Sequence, residues 1–318
     1  MSGVRLVEVA PADDGLRLDR WFRQHYPQVR QGQLQKMLRK GQVRVDGAKA
    51  EAKTRVDAGN VVRVPPLPEE ATPIAKAEAA EADREAIRAM VLYEDDEMFA
   101  LNKPFGLPVQ GGSKVLRHLD GMLDGLARGG ERPRLVHRLD KDTGGLILLA
   151  KTRLSAKRLT GLFAQHGVIK DYWALTAGVP HPLSGLIDMP VEKSGGEGTE
   201  KMGPASTGKR ALTDYQVVES AGTKAAFVAL RPQTGRTHQL RVHLAELGTP
   251  IVGDGKYGGA PAHVDGVPAK MHLFCRSMTV PREGRAPLSL TAPLTGHMAA
   301  SWALFGFPQD AALEWPDR

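Results

Sequence analysis

The sequence predicts an α+β protein with two domains joined by a linker. Its 318 residues exceed one average domain, and its 42% apolar and 25% charged residues are typical of a globular protein. Helical and alternating strand patterns occur on both sides of an Ala/Glu-rich stretch. We therefore expect a small α/β domain over residues 15–66, a linker over 67–90 and a larger α+β domain over 91–318.

The small domain is predicted to contain two short helices followed by short strands. In LRLDRWFRQHY and QGQLQKMLRKG the apolar residues recur on one helical face, and Gly41 provides a helix end. VRVDG alternates and turns at Asp46 and Gly47, and NVVRVPP adds a strand that prolines end.

Most of the positive charge lies in this small domain. Residues 1–66 hold thirteen Lys/Arg against seven Asp/Glu, while the whole chain carries a net charge of +7. Charge concentrated on a small unit indicates nucleic-acid binding, although a solvated face would look similar.

The remaining chain is predicted to alternate strands and helices. The linker 67–90 is expected to be partly helical. The predicted elements of the larger domain are two strands across the acidic turn of VLYEDDEMFALNKP, a helix over 115–128, strands over Leu135–Leu139 and Leu146–Ala150, a helix over 153–166, a strand in KDYWALTAG, a loop over 194–209, and a strand, loop and helix in KAAFVALRPQTGRTHQLRVHLAELGTP.

Several functional classes are disfavoured by composition. The only cysteine, Cys275, excludes an intramolecular disulfide, fits a reducing cytoplasm and is predicted to be a small core residue. No apolar run approaches the roughly 20 residues of a membrane span. No histidine pair has HExxH spacing, and GLPVQGGS lacks the lysine of a phosphate-binding loop. We expect a cytoplasmic protein with no metal, cofactor or membrane partner.

Asp140 is the main chemical candidate. It precedes a glycine turn in HRLDKDTGGLILLAKT, and a strand over Leu135–Leu139 would place Arg138 and Asp140 on the same face. An aspartate there could be a nucleophile, a base or an electrostatic stabiliser of a sugar cation; a surface ion pair at a hairpin is the plainer alternative. A glycosidase pair with Asp142 is disfavoured because two carboxylates two residues apart on a tight turn have no controlled separation, and Asp142 is assigned to the turn.

Four stretches resemble, in order, the motifs of the RluA-type pseudouridine synthases. They are LNKPFGLPVQGG, HRLDKDTGGLILLAKT, KDYWALTAG and RPQTGRTHQLRVHLAELGTPIVGDGKYG. The resemblance covers about residues 15–66 and 91–295. The N-terminal part is similar to the RNA-binding domain typified by a small-subunit ribosomal protein, and LRKGQVRVDG with VRVPP is most similar to the RluC branch. One departure is Gly144, which stands where the family usually has Ser.

The resemblance implies a mixed, mainly antiparallel sheet and the isomerisation of uridine to pseudouridine in RNA. Uracil is detached from C1′ of its ribose, rotated and reattached through C5, without redox change or external energy. The expected substrate is large-subunit (23S) rRNA or its precursor, and we expect a monomer. A synthase acting on tRNA remains an alternative, as does a non-catalytic RNA-binding or ribosome-assembly factor.

The resemblance also assigns site residues. Asp140 corresponds to the essential carboxylate; attack on C1′, attack on the base and removal of a ribose proton are all open. Tyr172 corresponds to a tyrosine that stacks on the base and can help deprotonate C5. Arg236 corresponds to a basic partner that keeps Asp140 ionised. Arg138 would fill the gap left by the flipped uridine, and Leu240 would form an apolar wall beneath the base.

The small basic domain would then hold the RNA. Lys36, Arg39, Lys40 and Arg44 are predicted to contact phosphates, which raises affinity and positions the enzyme without reading bases.

Overall fold

A computed structural model describes residues 3–29, 31–67, 73–112, 115, 117–194, 201–204 and 208–315. Backbone contacts divide the chain into two compact units, one formed within residues 1–82 and 111–116, the other within 83–110 and 117–318. The first division falls inside the stretch predicted to be a linker. No described helix is both long and apolar enough to span a bilayer.

The first unit combines two helices with short antiparallel strands. Its elements are β1 (Arg5–Glu8), a 3-10 turn (Pro11–Asp13), β2 (Leu16–Arg17), α1 (Leu18–His25), α2 (Gln31–Arg39), β3 (Arg44–Val45), β4 (Ala48–Lys49), β5 (Arg55–Val56) and β6 (Val61–Val64). The strand order is β1-β6-β3-β4, and β2 pairs separately with β5.

The predicted apolar faces of α1 and α2 pack into the core of this unit, together with residues from its strands and loops. The buried residues are Leu18, Trp21, Phe22, Leu34, Met37 and Leu38. The predicted turn closes the β3–β4 hairpin, with φ of 49° at Asp46 and 75° at Gly47. A two-residue turn with positive φ at both central residues suits the right-handed twist of the flanking strands, and Asp-Gly is a preferred sequence for it. The turn predicted at Asp46 and Gly47 is therefore confirmed.

The stretch predicted to be a linker is more regular than expected. A single helix, α3 (Pro73–Ala89), occupies most of the predicted linker, while residues 68–72 lie outside the described part of the chain. Alanine and glutamate have high helix propensity, which accounts for the continuous helix. Near its end Ile87 is fully buried in the core of the second unit.

The second unit is built on a ten-stranded sheet. Its elements are β7 (Val91–Glu94), β8 (Met98–Lys103), α4 (Leu119–Met122), a 3-10 turn (Leu123–Leu126), β9 (Arg134–Leu135), β10 (Gly144–Ala150), α5 (Arg153–Ala164), β11 (Ile169–Ala177), β12 (Ser184–Asp188), β13 (Val191–Ser194), β14 (Lys201–Pro204), β15 (Leu212–Ala221), β16 (Ala225–Pro232), α6 (Gln239–Glu246), β17 (Leu273–Arg282), β18 (Arg285–Thr291) and α7 (Gly296–Phe305).

The sheet has the predicted mixed, mainly antiparallel arrangement. Its order is β12-β15-β16-β11-β17-β10-β8-β7, with β18 on β17 and β9 on β10. β10 runs parallel to β17, whereas β11 is antiparallel to both of its neighbours. The beginning of β10 lies opposite Phe274 and Cys275 near the start of β17, and Tyr172 of β11 faces Cys275 from the other side of β17. The site lies at this end of the three strands.

Three local predictions are corrected. The helix expected over 115–128 is observed as α4 followed by a 3-10 turn, because Gly121 and Gly125 disfavour a longer helix. Gly125 also permits close packing, since a Cβ there would lie 2.9 Å from the Arg84 Cα. The loop expected over 194–209 contains the strand β14, which pairs with β13; residues 195–200 and 205–207 lie outside the described residues.

The third correction concerns the chain leading to Asp140. The strand expected over Leu135–Leu139 ends at Leu135. A longer β9 could form a backbone hydrogen bond with the Leu148 N–H. Instead, this N–H donates a hydrogen bond to His137 Nε2 at 2.8 Å. Asp140 therefore lies in a loop before β10, and strand alternation does not set its direction relative to Arg138.

Glycines at the start of β10 permit close packing against β17 and Phe105. Gly145 has φ of +101°, and a Cβ there would collide with the backbone of Cys275. A Cβ on Gly144 would lie 2.8 Å from Phe105 Cζ and 3.0 Å from Phe274 Cδ2. The space that a serine side chain would need at position 144 is thus occupied by the Phe105 ring.

We expect Gly144→Ser to lower the free energy of unfolding by about 1–3 kcal/mol, because the added atoms overpack this contact. Thermal or urea unfolding measures the cost. In a Phe105→Ala background the same substitution should cost clearly less, since the ring is gone. An equal cost in both backgrounds would contradict the packing explanation.

Candidate active site

A cleft of about 490 Å³ opens where the loop before β10, strand β11 and the loop before α6 meet. It is lined by all five residues that the sequence placed in the catalytic site: Arg138, Asp140, Tyr172, Arg236 and Leu240. These residues come from three separate parts of the chain, so the fold brings together the motifs recognised in sequence.

Asp140 is partly exposed and lies close to two side chains, Arg241 of α6 and His238 at the N-cap of α6. Its Oδ2 lies 3.5 Å from Arg241 Nη1 and 3.6 Å from His238 Nε2, and the Asp140 side chain is 24% exposed. The two cationic or polar groups hold the carboxylate at the cleft, while its exposed fraction leaves room for a substrate.

Arg241 is a buried bridge between two carboxylates. Its Nε and Nη2 donate to the two oxygens of Asp254, each at 2.8 Å, while Nη1 faces Asp140. Burial opposes the charged form, but the hydrogen bonds and charge of Asp254, with the charge of Asp140, outweigh it and raise the pKa of Arg241. The bidentate contact fixes the guanidinium plane and thereby the position offered to Asp140.

The pairing predicted for Arg236 is made by Arg241 instead. Arg236 lines the cleft, and its Nε donates to the Arg210 carbonyl at 3.1 Å. Within the described chain, the ion pairs of Asp140 are those to His238 and Arg241. The reason is local: α6 begins at Gln239, so positions 238 and 241 share its first turn, whereas Arg236 lies in the preceding loop.

His238 was missed by the sequence analysis and belongs to a hydrogen-bonded chain that ends at Asp140. The Tyr257 hydroxyl accepts a hydrogen bond from the Met202 N–H at 3.1 Å, so it can donate to His238 Nδ1 at 2.6 Å. Nε2 then carries the histidine proton and faces Asp140. Burial lowers the pKa of His238, which favours this neutral tautomer. The positive φ of His238, 55°, helps to aim the ring.

Tyr172 faces the cleft as a protonated phenol. It lies opposite Cys275 in the β11–β17 pairing. Burial, followed by the neighbouring Cys275 thiol, raises the pKa of Tyr172 well above its usual value. Cys275 is fully buried, as predicted for a core residue, and burial raises the pKa of its thiol to about 12. Tyr172 is therefore suited to stacking or to donating a hydrogen bond, and poorly suited to act as a phenolate base.

Leu240 and Arg138 differ in exposure. Leu240 is 7% exposed and belongs to an apolar cluster that Tyr172 also contacts, which is consistent with an apolar wall. Arg138 is exposed where it lines the cleft. An exposed guanidinium there is free to move into a base stack, so the wedge role predicted for Arg138 stays open to test.

Lys103, in the NKPFG stretch, supports the loop that carries Asp140. Its fully buried ammonium donates to the carbonyls of Pro104 and Leu107, both at 2.9 Å, and of Lys141 at 3.1 Å. Burial lowers the pKa of Lys103 to about 8, against the opposing charges of Asp142 and Asp140. The motif thus has a positional role that sequence spacing alone did not reveal.

The first unit presents the predicted basic residues on its surface. Lys36, Arg39, Lys40 and Arg44 are all exposed. Arg39 lines a groove of about 640 Å³ together with Lys49 and Lys53. The Arg44 guanidinium instead donates to the carbonyls of Gly41 and Gly47, at 3.2 and 3.0 Å. Lys36, Arg39 and Lys40 are therefore better placed for phosphates than Arg44.

Comparison with known proteins finds the same family by three routes. Residues 97–246 match the family model described as RNA pseudouridylate synthase. Proteins named ribosomal large subunit pseudouridine synthase C are 39% identical in Rickettsia typhi, over 76% of this chain and 82% of the relative, and 33% identical in Vibrio vulnificus, over 80% of each. The structure titled human RNA pseudouridylate synthase domain containing 4 is 29% identical, with a TM-score of 0.60 over 76% of this chain and all of that one.

Proposed function

The chain belongs to the RNA pseudouridylate synthase family, and from this membership we propose that it modifies uridines of large-subunit rRNA with Asp140 as the essential carboxylate. The relatives named for the large ribosomal subunit align over about four-fifths of their length. The observation that carries the catalytic assignment is a partly exposed Asp140 held by buried Arg241 in a cleft with Tyr172.

The reaction requires the uridine to leave its stack. C1′ and C5 cannot both be reached inside a helix, and flipping costs a few kcal/mol, to be offset by the cleft. Tyr172 offers a ring face and Leu240 an apolar surface for the flipped base. Asp140 then lies on the sugar side as the group that attacks C1′, attacks the base or removes a ribose proton.

We assign two arginines at the cleft, Arg138 and Arg236, to RNA binding and not to the breaking and forming of bonds. We assign Arg138 to the gap left by the flipped uridine. We assign Arg236, which lines the cleft without pairing with Asp140, to the RNA backbone. A non-catalytic factor would not need the paired Asp140, so the geometry favours the enzyme over an assembly protein.

The domain organisation follows from the same proposal. The predicted RNA-binding domain of residues 15–66 also includes β1 (Arg5–Glu8), which pairs with β6. Residues 67–90 form the connection and 91–318 the catalytic domain. The protein acts in the cytoplasm as a monomer on the rRNA or its precursor, with no membrane partner. Lys36, Arg39, Lys40 and Arg44 contact phosphates, the first three making the larger contribution because they are not used by turns.

We expect the triple variant Lys36→Gln, Arg39→Gln and Lys40→Gln to weaken RNA binding and flatten its salt dependence. Each lost phosphate contact lowers the slope of log K against log salt by about 1, so the slope should fall by up to about 3. Binding titrations at several salt concentrations measure this, and single-turnover rates at saturating RNA should change little.

A matched variant removes three exposed cations from the second unit: Lys157→Gln, Lys224→Gln and Arg285→Gln. Its salt slope should stay close to that of the wild-type protein. If both triple variants reduce the slope equally, the first unit is not a preferred RNA anchor.

The substrate proposal is tested with unmodified large-subunit rRNA and tRNA transcripts. We expect purified protein to form pseudouridine at discrete rRNA positions and not in tRNA, detected by chemical mapping. Modification confined to tRNA would retain the enzyme class and overturn the substrate.

A further inference from the structure

Lys170 is a buried cation in the wall of the cleft, and the roles assigned so far do not use it. The residue is 9% exposed and lines the cleft together with Tyr172, two positions later on β11. Strand alternation places these two on one face. Asp171 between them points away and pairs with Arg231 at 2.7 Å.

The neighbours of the Lys170 ammonium are uncharged. Nζ lies 5.7 Å from the centre of the Phe163 ring. The Cys275 thiol keeps its proton, and burial lowers the pKa of His137 to about 3, so that ring is neutral. Among the residues that the structure describes, no carboxylate pairs with Lys170, and burial lowers the pKa of its ammonium.

An unpaired ammonium in a buried wall is unfavourable unless a ligand supplies negative charge. Arg241 differs because Asp254 and Asp140 balance its charge. Arg138 and Arg236 also line the cleft, but both are more exposed to solvent. Lys170 is therefore the buried cation of the described cleft lining that lacks a described carboxylate partner, two positions from Tyr172 on β11.

We propose that Lys170 is a catalytic residue that stabilises the negative charge on uracil as the base leaves C1′. When the C1′–N1 bond breaks, its electron pair stays on N1, and the charge spreads to O2 and O4 of the ring. A fixed cation at a position where charge develops stabilises the transition state more than the ground state. This role rests on the proposed function.

The electron balance closes without any added reagent. C5 bonds to C1′, the hydrogen on C5 leaves as a proton to a base, and N1 gains a proton. The product is an isomer of the substrate, and Lys170 ends with the protons it began with. A phosphate of the target nucleotide presents a similar oxygen anion, so the experiment must separate base from phosphate.

The test compares Lys170→Met on RNA carrying uridine or 5-fluorouridine at the target position. Fluorine itself stabilises negative charge on the departing base. With uridine, the single-turnover rate of cleavage of the C1′–N1 bond should fall about 100-fold. With 5-fluorouridine, the same rate should fall less than about tenfold; it is measured as loss of the N1-linked nucleoside after digestion. The affinity of the variant for RNA should change little.

Stability provides a second readout. Lys170→Met removes a buried charge, so the melting temperature should stay the same or rise while activity falls; Lys170→Gln provides the same substrate comparison with a polar side chain. Lys157→Met, an exposed change on α5, should leave both rates unchanged.

Equal losses on the two substrates would overturn the proposal. So would a loss confined to RNA affinity with a lower salt slope, which would indicate a phosphate contact instead. A wild-type protein that forms no pseudouridine in this RNA would refute the proposed function as well, whereas an active wild type with an equally active Lys170→Met refutes the Lys170 role alone.

Discussion

Asp140→Asn should abolish pseudouridine formation, with a fall in the single-turnover rate of about 10⁴-fold or more. Asparagine keeps the size of the side chain but cannot act as an anion, a nucleophile or a base. Arg241 retains its bidentate contact with Asp254, so the fold should persist. RNA affinity should stay within a few-fold of wild type. Quantifying pseudouridine after digestion of the RNA measures the rate.

Asp142→Asn is the matched control. Asp142 is an exposed residue of the same loop, and the sequence assigned it to the turn. We expect Asp142→Asn to retain most activity. Equal losses in the two variants would show that loop structure, not the Asp140 carboxylate, limits the rate; an active Asp140→Asn protein would remove the catalytic assignment.

Arg241→Gln should produce the second large effect, on stability and activity together. Asp254 is 1% exposed, and loss of its guanidinium partner leaves a buried charge without its bidentate contact. Breaking a buried pair from one side costs about 3–5 kcal/mol of unfolding free energy. The rate should also fall by about 100-fold, because Asp140 loses the cation that holds it.

Arg236→Gln separates the two arginines of the GRTHQLR segment. Arg236 is only partly buried and donates to a backbone carbonyl, so unfolding free energy should change by less than about 1 kcal/mol. Denaturant unfolding and single-turnover assays on both variants compare them. A larger loss of stability and rate from Arg236→Gln than from Arg241→Gln would restore the original pairing of Arg236 with Asp140.

The fold was predictable where local pattern and tertiary packing agree. The apolar faces around Trp21 and Met37 are buried as their periodicity indicated, and the Asp46–Gly47 turn closes its hairpin. The extent of β9 was not predictable, because it depends on the His137 side chain taking a backbone N–H of Leu148. Such long-range competition leaves no local pattern in a sequence.

The sequence predicted which residues line the site better than it predicted which of them form ion pairs. Ordered motifs brought Asp140, Tyr172 and Leu240 to one cleft. They did not show which arginine meets the carboxylate, since that depends on where α6 begins. The burial of the Lys170 ammonium could not be predicted from the sequence. Alternation on β11 predicts which face of the strand carries Lys170, but not that the described residues offer it no carboxylate partner.

The most direct test of the central claim is to map pseudouridines in RNA from cells that lack this protein. We expect specific large-subunit rRNA positions to lose pseudouridine. Wild-type protein and Asp142→Asn should restore them, and Asp140→Asn should not. Restoration by Asp140→Asn, or an rRNA pattern that is unchanged by loss of the protein, would contradict the account.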